Sequence, residues 1–307
     1  MALAEIPVVY VIGAPRSGTT WFQLMLGSHP EVATPVELDF FSSVVASLYE
    51  IWGQHSEGNG RAARPNWGLP ATLTEAEWED TIRSIVERVY RSVLEAKPGA
   101  TVMLEKEPRY YRFVDTILRT VPHARFVHVI RDGRDVACSM MRVSKKWGRE
   151  WAPDSVSHAA HLWSEAVRGA TEAKGAPAGY MEVRYEDLLE DAGPDLLRRT
   201  FAFCGVSAEP ELAQRLYDRY RHGSRSNDEL LEGGLVWTGE AVRSASDVSF
   251  PESFIGPAAA GVWRDRFGPG DRQAFDSVAG DLLVRLGYEP DRSWTKAQAW
   301  TPLPGRR

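Results

Sequence analysis

The chain has 307 residues, 43% hydrophobic and 25% charged, which is typical of folded proteins and excludes a disordered or collagen-like chain. Lys and Arg number 36 against 42 Asp and Glu, so the net charge of −6 excludes a global positive field for nucleic acid or anionic membranes. Two cysteines are too few for a disulfide framework or a thiolate metal cage. The chain is of enzyme size, and any anion site in it must be local.

The first unit of the sequence is a strand, a glycine turn and a helix. Val8–Ile12 is β-branched and aromatic without polar alternation, which predicts a strand buried on both faces. Residues 13–18 form the turn, and 19–28 are apolar at helical density up to Pro30. The apolar run 6–14 lacks a basic n-region and is about half the roughly 20 residues of a membrane span. We therefore expect no signal peptide, no membrane anchor and a cytoplasmic location.

Strands and helices alternate along the rest of the chain. In chain order, periodicity predicts a helix from the Thr74 and Glu77 capping box to Ala96, a strand over 101–106, a short helix to Thr120, a strand over 126–130, helices over 136–141 and 155–174, a strand over 179–188, and helices near 193–204 and 271–286. This alternation predicts an α/β fold with three α/β/α layers around a central parallel sheet, like that of P-loop nucleotide triphosphatases.

Two stretches lack periodicity. Residues 53–71 are rich in Gly, Pro and Asn and predict a long loop, and 223–256 carry many small polar residues and predict irregular structure that orders on binding. With no repeat and no sharp change in composition, we expect one domain over 1–307, in which 45–100 and 205–256 form helical and loop insertions that cap the site and bind the acceptor.

Gly13 and Gly18 bracket four residues, the spacing of a loop in which backbone N–H groups and a helix N-terminus hold an anion. A nucleotide triphosphatase needs Gly-Lys-Ser/Thr after the loop, but here Thr19 follows Gly18 and the cation is Arg16. Three hydroxyl groups flank this arginine, those of Ser17, Thr19 and Thr20. The set suits one phosphate held without a metal. The alternative is a glycine turn whose hydroxyls only cap the helix.

Two motifs resemble a known family. "APRSGTTW" (14–21) resembles the 5′-phosphosulfate loop of sulfotransferases that use 3′-phosphoadenosine 5′-phosphosulfate (PAPS), and "RFVHVIRDGRDVACSM" (125–140) is similar to their 3′-phosphate motif. The resemblance implies PAPS as donor, adenosine 3′,5′-bisphosphate (PAP) as product, and no metal. It also implies donor contacts by Arg16, which reaches the 5′-phosphate and the bridging oxygen, by Ser17, Gly18, Thr19 and Thr20, by Trp21 beside the adenine, and by Arg131 and Ser139 on the 3′-phosphate.

The residues of the second motif point the same way without the resemblance. Arg131 ends a buried strand, at the edge where open α/β sheets place their ligands. Ser139 lies in the helix that follows the turn, so both side chains can converge on one anion. For Arg134 a solvated charge cluster at the helix start is an equal alternative.

Two later segments resemble the family less closely. "VRYEDL" (183–188) is similar to the segment in which Tyr185 would approach adenine, the alternative being a core tyrosine. "GVWRDRF" (261–267) resembles the segment that closes over the 3′-phosphate. Many members place Arg-Lys-Gly just before it, whereas "FIGPAAAG" here has no cation. Ser253, Gly256 or Arg264 would have to substitute.

The general base is expected to be Glu37. The segment "LEKEPRYYRF" has no histidine where one branch of the family places its base, but "HPEVATPVELDFF" (29–41) resembles the segment in which glycan sulfotransferases carry a catalytic Glu. The alternative is that Glu37 only occupies the first turn of a helix after Pro35.

Lys106 resembles the lysine of the family's Glu-Lys-x-Pro motif, whose ammonium offsets charge on the bridging oxygen. The flanking Glu105 and Glu107 offer the alternative of a surface ion-pair network. His158 and His161 give no metal signal, because no third ligand lies within sequence reach.

The sequence thus predicts a PAPS-dependent sulfotransferase that acts on a hydroxyl group, with Arg16, Glu37 and Lys106 as catalytic residues. The alternatives are a metal-dependent nucleotide kinase or hydrolase of the same superfamily, an inactive nucleotide-binding scaffold, or sulfation of a carbohydrate or lipid. Eleven Trp, among them Trp147 and Trp151, suggest an aromatic-lined pocket. We expect a small hydroxylated acceptor, a natural product or glycoside of secondary metabolism, and no nucleic-acid or membrane partner; self-association stays open.

Overall fold

Five parallel strands form a sheet in the order β2-β3-β1-β4-β5. The computed structural model describes residues 2–56, 68–220, 235 and 259–296. The strands are β1 Val8–Ile12, β2 Val32–Ala33, β3 Val102–Lys106, β4 Arg125–Ile130 and β5 Tyr180–Arg184. The order in which the chain adds strands to the sheet reverses at β1, which has β3 on one side and β4 on the other. Such a switch point opens a crevice at the carboxyl ends of the strands.

Helices connect the strands. They are α1 Thr19–Gly27, α2 Ala46–Ser56, α3 Glu75–Glu95, α4 Val114–Thr120, α5 Gly133–Ser144, α6 Val156–Glu172, α7 Gly193–Cys204, α8 Pro210–Tyr220, α9 Trp263–Arg266 and α10 Pro269–Arg285. Short 3₁₀ turns cover Leu3–Glu5, Leu69–Ala71, Pro108–Arg112, Ala173–Gly175, Asp187–Leu189 and Arg292–Lys296, and a π-helical turn, Phe41–Val45, precedes α2.

Alternate residues of β1 pack into two separate hydrophobic cores. Tyr10 and Ile12 belong to the core under α3, α6 and α10, whereas Val9 and Val11 belong to the core under α1, α7 and α8. Every residue of β1 is buried. The predicted α/β fold with a parallel sheet between two helical layers is therefore confirmed, and the lack of polar alternation in β1 follows from burial on both faces.

The start of α3 was predicted from its cap, whereas α5 begins earlier than predicted. Thr74 and Glu77 form the expected capping box of α3, with the Glu77 N–H donating to Thr74 Oγ1 at 3.3 Å. Helix α5 begins at Gly133, ahead of the predicted 136, because the Asp132 carboxylate accepts the Arg134 N–H at 2.9 Å and caps the helix there.

The first aperiodic stretch begins with helix. Residues 53–56 are the last turn of α2, whose Trp52 stacks on Trp78 of α3 at 6.1 Å between ring centroids, so helix extends into the stretch that was predicted to be a loop. Helix α8 occupies the first part of the predicted 205–256 insertion. The expectation of irregular structure over 223–256, with Ser253 and Gly256, lies outside the described residues except at 235.

Within the described part of the chain, no helix combines the length and the apolarity needed to cross a membrane.

Candidate active site

A cavity of about 810 Å³ opens at the carboxyl ends of β1 and β4. Nine of the residues predicted to form the site line it: Arg16, Gly18, Thr19, Thr20, Trp21, Glu37, Arg131, Ser139 and Tyr185. Lys106 is buried behind two of them, Thr20 and Glu37. The switch point of the sheet therefore brings together side chains from both predicted motifs.

Glycine is required at both ends of the loop after β1. Gly13 has φ 152°, and a Cβ there would lie 2.5 Å from the Val129 carbonyl oxygen of β4. Gly18 has φ 92°, and its Cβ would lie 2.5 Å from Tyr185 Cδ2. Arg16, with φ 72°, adopts the left-handed conformation without being glycine. The bends place the N-terminus of α1 at the cavity, where helix dipole and free N–H groups favour an anion.

Arg16 connects the two motifs. Its Nε donates to Ser139 Oγ at 3.3 Å, and its guanidinium lies 5.8 Å from the ring centroid of Trp147. Burial, with the neighbouring charges of Arg142 and Arg131, lowers the pKa of Arg16 to about 10. The side chain therefore remains a cation at neutral pH, surrounded by further positive charge that an anion would offset.

Arg131 is fixed on several sides. Its guanidinium carbon lies 4.2 Å from the centroid of the Tyr185 ring, and its two terminal nitrogens donate to the carbonyl oxygens of Arg16 at 3.2 Å and Ala259 at 2.8 Å. Its own carbonyl accepts the indole N–H of Trp163 at 3.1 Å. The guanidinium is thus held in one orientation before any ligand arrives.

Two buried polar groups of the site have no hydrogen-bond partner among the described residues: the Ser17 hydroxyl and the Arg131 Nε. Buried donors are rarely left unpaired, because each costs roughly 1–3 kcal/mol. One belongs to the glycine loop and one to the second motif; Arg131 lines the cavity, whereas Ser17 is not among the lining residues.

The carboxylate of Glu37 contacts the ammonium of Lys106, which also donates to Thr20 Oγ1 at 3.0 Å. Lys106 is 1% exposed, whereas the side chain of Glu37 is 37% exposed and faces the cavity. The helix that follows Glu37 begins only at Phe41, so the alternative of a first-turn glutamate is wrong. A carboxylate, an ammonium and the loop hydroxyl meet at one point.

Comparison with known proteins agrees with this geometry. A family model described as "Sulfotransferase family" matches residues 7–210, about two thirds of the chain. The chain belongs to the sulfotransferase family. It is an enzyme of the sulfuryl-transferring class, as the sequence predicted.

Several known proteins resemble this sulfotransferase. Protein-tyrosine sulfotransferase 1 of Danio rerio is 25% identical over 291 residues, 93% of this chain and 73% of the relative. Nodulation protein NoeE of Sinorhizobium fredii is 23% identical over 315 residues, 94% of this chain and 67% of the relative. Two solved structures share the fold: mouse sulfotransferase SULT7A1 complexed with PAP (TM-score 0.53, 12% identity, 94% and 86% coverage) and the sulfotransferase domain from the curacin biosynthetic pathway (TM-score 0.52, 17% identity, 92% and 98% coverage).

The outer wall of the sulfotransferase cavity was not predicted as a set. It is formed by Arg109, Met141, Arg142, Lys145, Trp147, Trp151, Val262 and Arg266. Arg142 follows Ser139 by one helical turn, so helical spacing could have indicated it. Trp147 and Trp151, named only as members of a tryptophan-rich chain, lie together with ring centroids 5.8 Å apart.

Near the C-terminus, Arg266 is among the residues that line the sulfotransferase cavity, and Arg264 is not. Asp135 accepts the N–H of Gly261 at 2.6 Å and that of Trp263 at 2.9 Å, which fixes the start of α9. In that orientation Arg264 lies over the Trp263 ring, 4.9 Å from its centroid, and does not line the cavity, whereas Arg266 does. The prediction that Arg264 contacts the 3′-phosphate therefore has no support from the cavity lining, and Arg266 is the better placed cation.

Arg134, the other open case, is not part of a solvated cluster. Its side chain is 1% exposed, pairs with Asp132 and Glu289, and lies 3.7 Å from the centroid of Trp263. It ties the start of α5 to the C-terminal helices and so supports the cavity wall from behind.

His158 and His161 lie on α6 and are not among the residues that line the cavity. Across the residues that the structure describes, no three His, Cys, Asp or Glu side chains form a group suited to a metal ion.

Proposed function

We propose that this sulfotransferase moves the sulfuryl group of PAPS to an acceptor hydroxyl, with Glu37 as general base. The observation that carries the proposal is the meeting of two distant motifs at one cavity, where Arg16 bonds to Ser139 and Arg131 bonds to the Arg16 carbonyl. PAPS carries phosphorus at both its 5′ and 3′ positions, so it needs two adjacent anion sites. The mouse structure of the same fold contains PAP, which supports this choice of nucleotide.

The 5′-phosphosulfate would bind at the N-terminus of α1. Arg16 supplies a guanidinium, and the hydroxyls of Ser17, Thr19 and Thr20 supply further donors, of which that of Ser17 is buried and unpaired among the described residues. Together with the backbone N–H groups of the loop, these groups neutralise the phosphosulfate without a metal ion.

The 3′-phosphate would bind between Arg131 and Ser139, with Arg266 in place of the Arg-Lys-Gly cations. Arg131 and Arg266 both line the cavity, together with Cys138 and Ser139 of α5. The adenine would lie beside Trp21 and Tyr185, whose rings meet edge to face at 5.7 Å.

Transfer requires one proton and one sulfuryl group to move. The acceptor oxygen forms a bond to sulfur, the bond from sulfur to the bridging phosphate oxygen breaks, and the acceptor proton passes to the Glu37 carboxylate. PAP leaves with the bond's electron pair, and Lys106 and Arg16 stabilise the charge that develops on the bridging oxygen. Lys106 now contacts Glu37, so in this proposal its ammonium turns toward the donor when PAPS binds and frees the carboxylate.

The acceptor would be a phenolic hydroxyl such as a tyrosine side chain. Relatives that match 93% of this chain include protein-tyrosine sulfotransferases. The cavity also offers two tryptophan rings, Trp147 and the 43% exposed Trp151, that can stack on an aromatic acceptor. The same wall can stack a sugar ring, so a natural product or glycoside belongs to the same test.

The test is transfer from ³⁵S-labelled PAPS to a panel that contains a tyrosine peptide, 4-nitrophenol and simple glycosides, with hydrolysis of PAPS as the reaction in which water is the acceptor. Glu37→Gln should lower turnover by roughly 10² or more, the scale of lost general-base catalysis, and should leave PAP affinity by calorimetry near that of the unmodified enzyme. Turnover that stays near the unmodified level would remove Glu37 from the base role. Phosphoryl transfer from ATP in the presence of magnesium, with no sulfuryl transfer from PAPS, would favour the kinase alternative.

A further inference from the structure

The segment 37–41, which carries Glu37, is tied to β3 on its exposed side. Asp39, in the left-handed conformation with φ 51°, pairs with the guanidinium of Arg109. The Nε of Arg109 donates to the Glu107 carboxylate at 3.0 Å, and Glu107 directly follows β3. This tie is half exposed at Arg109 and Asp39, so water and salt weaken it.

A second tie runs through the protein interior and ends at Glu105. The hydroxyl of Tyr110 donates to the Glu105 carboxylate and accepts two backbone N–H groups, those of Phe40 and Phe41, at 3.2 Å each. Tyr90 donates to the other carboxylate oxygen. Both Glu105 and Tyr110 are 0% exposed, which contradicts the alternative of a surface ion-pair network at this glutamate.

The hydrogen bonds of this interior tie are set by how many the Tyr110 hydroxyl can donate and accept. A phenol has one proton and two acceptor sites. Glu105 accepts the hydrogen bond that the Tyr110 hydroxyl donates, so the acceptor sites of the Tyr110 oxygen are left for the two N–H groups. Among the described residues, none forms an ion pair with Glu105, and its two oxygens accept from the hydroxyls of Tyr90 and Tyr110.

From these contacts we infer that Tyr110, oriented by Glu105, is a positioning residue for the Glu37 base. The inference rests on the proposed function. The Tyr110 hydroxyl fixes the backbone three residues after Glu37, at the start of the π-helical turn. It does so by hydrogen bonds that need no contact with the substrate. When Lys106 turns toward the donor, the direct contact on Glu37 is lost. The Tyr110 tie then keeps the carboxylate within reach of the acceptor hydroxyl, and a displacement of about 1 Å at such a group can lower the rate up to 10²-fold.

The experiment compares Tyr110→Phe with Tyr90→Phe. Both variants remove a buried hydroxyl from the same carboxylate and keep the ring. Tyr110 accepts hydrogen bonds from the segment 37–41, whereas the hydroxyl of Tyr90 donates to Glu105. Tyr110→Phe should lower kcat roughly 10-fold without raising the KM for PAPS, measured by transfer to the tyrosine peptide and by PAPS hydrolysis. Tyr90→Phe should lower the melting temperature and leave kcat unchanged.

A double-mutant cycle with Glu37→Gln separates positioning from a general structural effect. If Tyr110 acts through Glu37, Tyr110→Phe should cause no further loss of kcat in the Glu37→Gln background. An undiminished loss in that background, or equal losses for the two tyrosine variants, would overturn the inference while the effect of Glu37→Gln alone still supported the proposed function. Near-normal turnover of Glu37→Gln would reject the base assignment itself.

Glu105→Gln serves as the second variant if Tyr110→Phe does not fold. It retains the shape of the carboxylate but replaces one acceptor oxygen by an amide nitrogen that only donates, so it cannot accept from both Tyr110 and Tyr90. Glu105→Gln should therefore lose kcat as Tyr110→Phe does, with no further loss in the Glu37→Gln background. Full activity of both Glu105→Gln and Glu105→Met, which has no carboxylate oxygen, in folded proteins would contradict the role of Glu105 in orienting Tyr110.

Discussion

Gly18→Ala tests the contact between the glycine loop and the second motif. The backbone at Gly18 has φ 92°, and an alanine in this left-handed region costs about 1–3 kcal/mol. Its Cβ would also lie 2.5 Å from Cδ2 and 2.7 Å from Cε2 of Tyr185. Ordinary carbon contacts are near 3.5 Å, so the ring must move by about 1 Å.

The Tyr185 ring cannot move without affecting Arg131, because the Arg131 guanidinium packs on it. The guanidinium lies 4.2 Å from the centroid of Tyr185, a contact that contributes about 0.5–2 kcal/mol. A charged hydrogen bond to the 3′-phosphate contributes about 1.5–3 kcal/mol when fully formed. If the shift weakens it by half, the free energy of PAP binding falls by about 0.8–1.5 kcal/mol, roughly a fourfold to twelvefold increase in Kd. Gly18→Ala should therefore lose both stability and nucleotide affinity.

Gly99→Ala is the matched control, because Gly99 has φ 90° and no described atom lies within 4 Å of its would-be Cβ. It should lose only the conformational term, about 1 kcal/mol, with an unchanged Kd for PAP. Urea denaturation measures the free energy of unfolding, and calorimetry measures PAP binding. If Gly18→Ala binds PAP as tightly as the unmodified enzyme and loses no more stability than Gly99→Ala, Tyr185 does not couple the loop to Arg131.

Two further predictions follow from the site. Arg266→Ala should raise the Kd for PAP roughly tenfold, whereas Arg264→Ala, whose guanidinium lies over Trp263, should not change it in calorimetry; equal effects would contradict the placement of the C-terminal cation. Burial raises the pKa of Glu105 from 4.5 to about 7, so the native state binds more protons than the unfolded state in that range and the free energy of unfolding falls as pH rises from 4.5 to 7. Glu105→Gln should flatten this decline in urea titrations at pH 5, 6 and 7, and an unchanged slope would argue against a buried, titrating carboxyl.

The parts of the fold that the sequence predicted are those whose cause is local. β1 lies in the centre of the sheet, so its burial on both faces appears in the sequence as an unbroken apolar run. The loop after it needs glycine at both ends, and this appears as the pair Gly13 and Gly18. By contrast, β2 has only two residues, too few for any periodicity, and α2 buries only Trp52 and depends on its contact with α3. Such elements are defined by tertiary packing and leave a weak pattern in the sequence.

The site shows the same division. The sequence indicated Arg16, Arg131 and Ser139 because each lies in a motif with its own spacing. The sequence did not indicate that Glu105 is buried, because alternating charges at a strand end look exposed when the neighbouring strands are unknown. In the sheet Glu105 pairs in register with Tyr10 of β1, under a helical layer that carries Tyr90, and the charge pattern alone cannot reveal that cover.

The order of the strands gives the proposed donor a direction. Arg131 follows β4 and Lys106 ends β3, on opposite sides of β1, and the loop that carries Arg16 lies between them. A PAPS molecule with its 3′-phosphate at Arg131 and its 5′-phosphate at Arg16 therefore presents its sulfuryl group on the β3 side, where Glu37 and Lys106 are in contact. The opposite direction would place the sulfuryl group beside Ser139, across the β1 loop from the base. In the proposed mechanism, the first direction is therefore the one that brings the sulfuryl group to a hydroxyl held by Glu37.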